Sequence, residues 1–347
     1  MFRHATRTLI VLLAGTLGCG APEATPPDEQ APPPPRFVGH VERFDARLDA
    51  LVDTSATFEI LAEGFAWAEG PAWRSKEGYL LFSDIPRNTI YRWSEEEGLR
   101  VFLRPSGYTG SDPPGPELGA NGLAFDPAGR LVLCDHGNRV VARLNEDNYT
   151  KTILASGYEG KRFNSPNDLV FRPDGTLYFT DPPFGLKGQD GDAAKELPFN
   201  GVYRLTRAGK VDLLIDDLTR PNGLAFSPDA RTLYVSNADP DRPIWMAYAV
   251  RPDGRLGPGR LFADATERVA ARLPGLPDGM AVDREGNLFA TGPGGVLVFA
   301  PDGSHLGTLV TGQATANVAF GEDGHTLFAT ADAYLLRTRL KTVGLGF

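Results

Sequence analysis

Cysteine is scarce in this chain: among its 347 residues, only Cys19 and Cys134 carry a thiol. If Cys19 is cleaved off or acylated, Cys134 has no partner, so no disulfide framework is available and packing must supply the stability. Cys134 ends the apolar run that begins at Leu131, and we expect its thiol to be a buried apolar group. Histidine is also rare, with five scattered residues, which argues against the imidazole and thiolate ligands that zinc sites usually use.

An excess of basic residues is lacking as well. The formal net charge is −9, and the lysines and arginines form no basic stripe. Nucleic-acid binding requires such a stripe to neutralise phosphates. We therefore expect no nucleic-acid partner.

Long apolar runs are missing too. The stretch Leu9 to Leu17 has nine residues, whereas a membrane helix needs about 20. Basic residues precede this stretch and Gly18-Cys19-Gly20 follows it, which predicts a secretory signal over residues 1–19. Cys19 lies where a bacterial lipoprotein is cut and acylated, although Thr16 replaces the usual leucine. We expect export, either to the periplasm or to the cell envelope, with a lipid anchor at Cys19 as the only membrane attachment.

Residues 20–56 are expected to form a tether and a lead-in to the folded domain. They include the run Pro32 to Pro35, and proline-rich segments of this kind are extended and do not pack. The folded domain is expected to cover residues 57–347.

Helical periodicity is absent over any long window, and six similar segments take its place. Each begins with a polar residue, usually followed by glycine, then an apolar stretch, a turn and a second apolar stretch. A period of about 40 to 50 residues is typical of the blades of a β-propeller. The first residues of the segments, 39 to 56 positions apart, are Glu69, Asn121, Asn167, Asn222, Asp278 and Asn317.

The segments predict an all-β fold, a six-bladed β-propeller with four antiparallel strands per blade. The two apolar runs of each repeat are joined by turn residues, as in β-hairpins. A third strand such as Val202 to Leu205 follows, and then a fourth such as Asp212 to Ile215. The last repeat ends with its third strand, Tyr334 to Arg339, while Phe58 to Leu61 precedes the first repeat. We expect this N-terminal strand to close the last blade, which removes an open sheet edge.

The first residue of every repeat carries a side-chain oxygen, and inner strands of a propeller line its axis. A ring of carboxylate and amide oxygens suits a hard divalent cation, above all Ca²⁺. The alternative is that Asn and Asp begin these strands as turn residues, which fits Asn317 best. His136 follows a blade strand and either faces the channel mouth or lies in a surface loop.

Four of the segments resemble the gluconolactonase/regucalcin (senescence marker protein) family. The resemblance covers about residues 57–340 and includes four motifs in the family's order. The stretch Cys134 to Arg143 looks like the exported bacterial gluconolactonase branch. The motifs are Ala68-Glu69-Gly70-Pro71, Arg162-Phe163-Asn164-Ser165-Pro166-Asn167-Asp168, Arg220-Pro221-Asn222-Gly223-Leu224 and Leu276-Pro277-Asp278-Gly279-Met280.

The resemblance implies metal-dependent hydrolysis of sugar (aldono) lactones, in which water attacks a lactone carbonyl polarised by one divalent cation. The ion is expected to be Ca²⁺, with Zn²⁺, Mg²⁺ and Mn²⁺ as alternatives. The implied ligands are Glu69, Asn222 and Asp278, with Asn167 near the metal or the bound sugar, and Asp278 is also the implied proton-transfer residue. The expected substrate contacts are Asn121, Asn167, Arg162 and His136. The candidates for the rim are Asp135, His136, Asp181 and Phe184. Ser165-Pro166 makes the third motif longer than in animal members.

Two other functions fit the same sequence features. A phosphotriesterase-like hydrolase uses the same scaffold and metal ring on another substrate class. A non-catalytic periplasmic binding propeller is the alternative outside enzymes, although it has no need of acidic residues at both Glu69 and Asp278.

Overall fold

The computed structural model of the protein describes residues 36–347. The predicted signal peptide, the acylation site at Cys19 and most of the predicted tether lie outside these residues. Among the described residues, no helix has the length and apolar character needed to cross a membrane.

Six antiparallel sheets form the blades, and the first strand of each blade contacts the first strands of its neighbours around the axis. The strands of blades 1 to 3, from the axis outwards, are Ala68–Arg74, Tyr79–Asp84, Thr89–Ser94 and Gly98–Leu103; Ala120–Phe125, Leu131–Asp135, Val140–Asn145 and Thr150–Ala155; Leu169–Phe171, Leu177–Asp181, Gly201–Leu205 and Val211–Ile215. The strands of blades 4 to 6 are Pro221–Phe226, Thr232–Asp239, Arg242–Val250 and Leu256–Asp264; Met280–Val282, Leu288–Gly292, Gly295–Phe299 and His305–Val310; Thr315–Gly321, Thr326–Ala331, Tyr334–Arg339 and Phe58–Glu63. The predicted six-bladed fold with four-stranded blades is confirmed.

The remaining elements are short. A two-stranded hairpin, Gly157–Tyr158 with Lys161–Arg162, follows blade 2. The described helices are the 3₁₀ turns Ala46–Ala50 and Gln189–Gly191 and the α-helix Thr266–Ala270.

The last blade is closed by the strand from the N-terminal side, as predicted. Phe58–Glu63 pairs antiparallel with Tyr334–Arg339, with Glu63 opposite Tyr334. Two further strands lie ahead of the predicted domain start at residue 57. Phe37–Val38 pairs with Phe58–Glu63 in blade 6, and His40–Arg43 pairs with His305–Val310 in blade 5. The lead-in therefore adds a fifth strand to each of two neighbouring blades and ties them together.

The hydrophobic core is a ring of six clusters, each between two neighbouring blades. Between blades 4 and 5, for example, Trp245 packs with Phe299 at a ring-centroid distance of 5.3 Å. Cys134 is fully buried as a free thiol between blades 2 and 3, which agrees with the expectation from its apolar neighbours. Because burial is shared among all six interfaces, apolar packing fixes the inner strands relative to one another.

The hairpin turns follow from the Asp and Gly residues of the repeats. In blade 2, the Asp126 carboxylate accepts hydrogen bonds from the N–H groups of Ala128 and Arg130 at 2.9 and 3.0 Å. Gly129 adopts a φ of 76°, a left-handed conformation that glycine adopts at little cost. These local bonds set the register that places the first strand of the blade at the axis.

Candidate active site

The glycine that follows the first residue of a repeat is needed because adjacent inner strands approach each other closely. A Cβ on Gly70 would lie 2.2 Å from the carbonyl oxygen of Asn121, and one on Gly223 would lie 2.3 Å from that of Asp278. Contacts this short are forbidden to a real side chain. The repeated glycine therefore lets the backbone of each repeat pack against the first residue of the next.

The inner strands are irregular where these polar residues lie. In blades 1 and 4, the pairing with the second strand shifts between Glu69 and Ala72 and between Pro221 and Leu224. Bulges of this kind redirect side chains. In blade 5, the N–H of Asp278 donates to the Thr291 carbonyl oxygen at 3.0 Å just before the assigned strand. The irregularity turns the polar side chains toward one end of the channel.

Five of the six first residues line a single cavity of about 410 Å³. Asn317 is the exception: its Oδ1 accepts a hydrogen bond from the Val318 N–H at 2.8 Å. The cavity has both polar and apolar walls. Its polar lining residues are Glu69, Glu117, Asn121, Asn167, Arg220, Asn222, Asp278 and Thr315, and its apolar ones are Trp67, Ile85, Phe184, Ala238, Gly275, Leu276 and Ala314.

Two oxygens of this pocket are enclosed but unpartnered. Among the described residues, Oδ1 of Asn222 and Oδ1 of Asp278 are buried and accept no hydrogen bond. Glu69 is only 3% exposed, and its Oε2 accepts a hydrogen bond from the Gly70 N–H at 2.7 Å. Because an unpaired buried oxygen destabilises a fold, the two free oxygens mark a place built for a ligand.

The carboxyl groups at the axis are difficult to ionise without a compensating positive charge. Burial raises the pKa of Asp278 well above its usual range, and the charges of Glu69 and Asp168 raise it further. Burial likewise raises the pKa of Glu69, although the Gly70 N–H opposes it. Burial also raises the pKa of Asp168 to about 6. No salt bridge to these three groups occurs within residues 36–347.

These residues fit a hard cation. The donors are carboxylate and amide oxygens, which Ca²⁺ accepts in loose geometry, and a cation would neutralise the two carboxyl groups and occupy the unpartnered oxygens. In the described part of the chain, no three His, Cys, Asp or Glu side chains cluster as a metal site. This is expected of a site in which Glu69 and Asp278 supply two carboxylates and asparagines supply the other donors.

The structure does not bring all predicted substrate contacts to the pocket. Arg162 belongs to the exposed hairpin after blade 2, and its Nη2 lies 3.4 Å from the Asn138 carbonyl oxygen. Arg162 is not among the residues that line the cavity, whereas Asn121 and Asn167 are. His136 is fully buried and does not itself line the cavity, but its Nε2 lies 2.9 Å from Oε2 of Glu117, which does. Asp135 and Asp181 are also buried and do not line the cavity.

Two charged residues of the pocket were missed by the sequence reasoning. Arg220 lies two residues before Asn222, so its position close to an inner residue was a usable signal. Glu117 lies in the irregular connection between Leu103 and Ala120, outside the repeat. No periodic pattern could have identified it.

Fold and site together define a six-bladed β-propeller with an acidic pocket at one end of its channel. The chain belongs to the SMP-30/gluconolactonase/LRE-like family, whose profile matches residues 67–333. It is 42% identical over 312 residues to the gluconolactonase of Zymomonas mobilis, and the alignment covers 88% of each chain. It is 27% identical over 268 residues to a pentonolactonase of Haloferax volcanii, covering 76% of this chain and 80% of that protein.

A solved structure supports the same assignment. A gluconolactonase from Xanthomonas campestris superimposes with a TM-score of 0.76 at 36% identity, covering 88% of this chain and 97% of that chain. The predicted membership in this family is confirmed.

Proposed function

We propose that this chain is a lactonase that hydrolyses sugar lactones of the gluconolactone type with the help of one divalent cation. The relatives aligned over most of their length include a gluconolactonase and a pentonolactonase, which supports a sugar-lactone substrate. The observation that carries the cation requirement is the pair of enclosed, unpartnered oxygens on Asn222 and Asp278.

The residues that would hold the cation are Glu69, Asn222 and Asp278, with Asn167 beside them. Ca²⁺ is the ion that best matches a set of carboxylate and amide oxygens. When bound, a divalent cation supplies Lewis-acid polarisation of a carbonyl oxygen, worth several kcal/mol. All other steps are assigned to side chains of the pocket.

Asp278 is assigned the proton transfers. Its carboxylate accepts a proton from the attacking water and returns it to the ring oxygen as the carbon–oxygen bond breaks, so one water is consumed and a hydroxy acid is released. Asn121 and Asn167 line the cavity, and we assign them hydrogen bonds with hydroxyl groups of the substrate. Trp67 and Phe184 supply apolar surface against the C–H face of the ring.

A pH-stat assay tests this function. The purified protein should release acid from D-glucono-1,5-lactone faster than the uncatalysed reaction, lose this activity in EDTA and regain it with Ca²⁺ or another divalent ion. A preference for paraoxon over the lactone would favour the phosphotriesterase alternative, and no turnover of either would favour a binding protein. The Glu96→Ala variant is a suitable control, since Glu96 is exposed in the turn between Thr89–Ser94 and Gly98–Leu103, and no residue of this turn lines the cavity.

Export remains part of the proposal. A basic N-terminus, a short apolar stretch and Gly18-Cys19-Gly20 support delivery to the periplasm or a lipid anchor at Cys19. Labelling of cells with a palmitate analogue, with Cys19→Ala as the control, separates the two: labelled wild type indicates an anchored protein, and unlabelled, cleaved protein indicates a free periplasmic one.

A further inference from the structure

His136 is a fully buried histidine whose second ring nitrogen has no hydrogen-bond partner. Its Nδ1 lies 3.2 Å from the Pro166 carbonyl oxygen, and because that oxygen can only accept, Nδ1 carries a hydrogen. The other nitrogen, Nε2, therefore points away from Pro166. Among the described residues it makes no aligned hydrogen bond. Buried polar atoms usually have a hydrogen-bond partner, so the side chain that faces Nε2 needs to be identified.

The group in front of His136 is the carboxylate of Glu117. Oε2 of Glu117 lies 2.9 Å from Nε2, although the two atoms are not aligned as a hydrogen bond. Because a carboxylate only accepts hydrogen bonds, this contact is attractive when Nε2 carries a hydrogen as well as Nδ1. The Glu117 side chain is 28% exposed and lines the cavity. Within residues 36–347, no lysine or arginine pairs with it. Its carboxylate thus faces both His136 and the open pocket.

Two loops hold this pair. The Lys187 N–H donates to the Pro114 carbonyl oxygen at 2.8 Å, which joins the connection between the second and third strands of blade 3 to the loop that carries Glu117. A Cβ on Gly185 would lie 2.4 Å from Cδ2 of His136, so the glycine allows the backbone to pack directly on the ring. The ring of His136 is therefore held between packed backbone segments, next to the separate loop that carries Glu117.

Glu117 is separate from the axial carboxyl groups. It comes from the connection between Leu103 and Ala120, whereas Glu69 and Asp278 are the first residues of repeats in blades 1 and 5. All three side chains line the same cavity, but Glu117 is partly exposed and Glu69 is buried. The Glu117 carboxylate can therefore meet a ligand in the cavity without being one of the axial groups.

We propose that Glu117 determines substrate specificity by accepting hydrogen bonds from the hydroxyl groups of a polyhydroxylated lactone, and that His136 is the positioning residue that holds its carboxylate. The inference rests on the proposed lactonase function. An ionised carboxylate only accepts hydrogen bonds and can bind two neighbouring hydroxyl groups at once. A lactone without hydroxyl groups leaves this carboxylate desolvated and unpaired, and a site built for a polar group rejects such an analogue strongly.

The test compares two six-membered lactones, D-glucono-1,5-lactone and δ-valerolactone, which lacks the hydroxyl groups. The specificity ratio is kcat/KM for gluconolactone divided by kcat/KM for δ-valerolactone. In Glu117→Ala, this ratio should fall about 10- to 100-fold, through a higher KM for gluconolactone with kcat retained. His136→Phe should lower the ratio in the same direction. Glu96→Ala, which removes an exposed glutamate, should leave the ratio at the wild-type value.

A binding measurement separates this proposal from the lactonase function. Calorimetry with 1,5-anhydro-D-glucitol, a cyclic polyol without a carbonyl, should show weaker binding to Glu117→Ala than to wild type. If wild type hydrolyses no lactone but Glu117→Ala loses polyol binding, the lactonase function fails and the hydroxyl site stands. If lactones are hydrolysed but the substrate ratio and polyol binding are unchanged, or both lactones slow equally, the role of Glu117 is wrong. Because Glu117 lies in a loop, this variant tests the proposal even where His136→Phe does not fold.

Discussion

Glu69 and Asp278 face the same small cavity although they belong to blades 1 and 5, and the charge of Glu69 adds to burial in raising the pKa of Asp278. Two enclosed carboxyl groups without a positive partner destabilise the fold. Close packing of the inner strands maintains this arrangement. The site is therefore organised to bind a ligand, and this organisation lowers the stability of the ligand-free protein.

Replacement of Asp278 by asparagine should separate activity from stability. We expect Asp278→Asn to lower kcat/KM for gluconolactone by about 10²- to 10⁴-fold, because it removes the proton acceptor and a cation ligand. In EDTA, the same variant should melt no lower than wild type, since it removes an ionisable group from a buried site. Calorimetric melting checks this point. A lower melting temperature in EDTA would show that Asp278 is a stabilising part of the fold.

Two arginines of the sequence motifs should differ in importance. Arg220 lines the cavity, whereas Arg162 lies in an exposed hairpin. We expect Arg220→Ala to raise the KM for gluconolactone roughly 10-fold, through the loss of a charged hydrogen-bond donor. Arg162→Ala should stay within about 2-fold of wild type, as surface substitutions do. Steady-state kinetics on both variants decide the matter, and the reverse order would place Arg162 at the substrate.

The repeated glycine should be intolerant of any side chain. A Cβ on Gly223 would lie 2.3 Å from the Asp278 carbonyl oxygen, whereas a Cβ on Gly191 would meet nothing within 4 Å. We expect Gly223→Ala to lower the free energy of unfolding by about 2 kcal/mol or more. Gly191→Ala should change it by less than about 0.5 kcal/mol. Urea denaturation of the two variants measures the difference, and equal stabilities would contradict the packing argument.

His305 should make the protein less stable in weak acid. Burial and, to a smaller extent, the charge of Arg268 lower the pKa of His305 to about 4. The unfolded chain takes up this proton below about pH 6.5 while the folded chain does not, so stability falls as the pH drops from 6.5 toward 4.

The effect of His305 can be isolated by comparing variants. His305→Phe keeps an aromatic ring beside Phe299, whose centroid lies 5.0 Å from that of His305. Between pH 6.5 and 4, wild type should lose up to about 3 kcal/mol more stability than the variant. Parallel pH profiles of the unfolding free energy would contradict the assignment.

The blade pattern was readable from the sequence because it repeats. Each inner residue, such as Asn121 or Asn222, is followed by apolar residues and a turn, so period and hairpin signals agree. Phe37–Val38 and His40–Arg43 were not anticipated as strands. They are short and partly exposed, and they add to blade edges far away in sequence, which local pattern cannot indicate.

The site was predictable only where it coincides with the repeat. Glu69, Asn167 and Asp278 occupy equivalent positions, so the fold brings them together. Glu117 enters the pocket from an irregular loop, and its partner His136 is held by backbone contacts with another loop. Such placements depend on tertiary contacts between loops and produce no periodic pattern in the sequence.

Calorimetric titration of the metal-stripped protein with Ca²⁺ tests the central claim most directly, because the account requires one cation site built from Glu69, Asn222 and Asp278. Wild type should bind one Ca²⁺ per chain, and Glu69→Gln should bind at least about 10-fold more weakly, since it loses a charged ligand. Glu96→Ala should bind like wild type. Unchanged Ca²⁺ affinity in Glu69→Gln, or no binding by wild type to any divalent ion, would contradict the account.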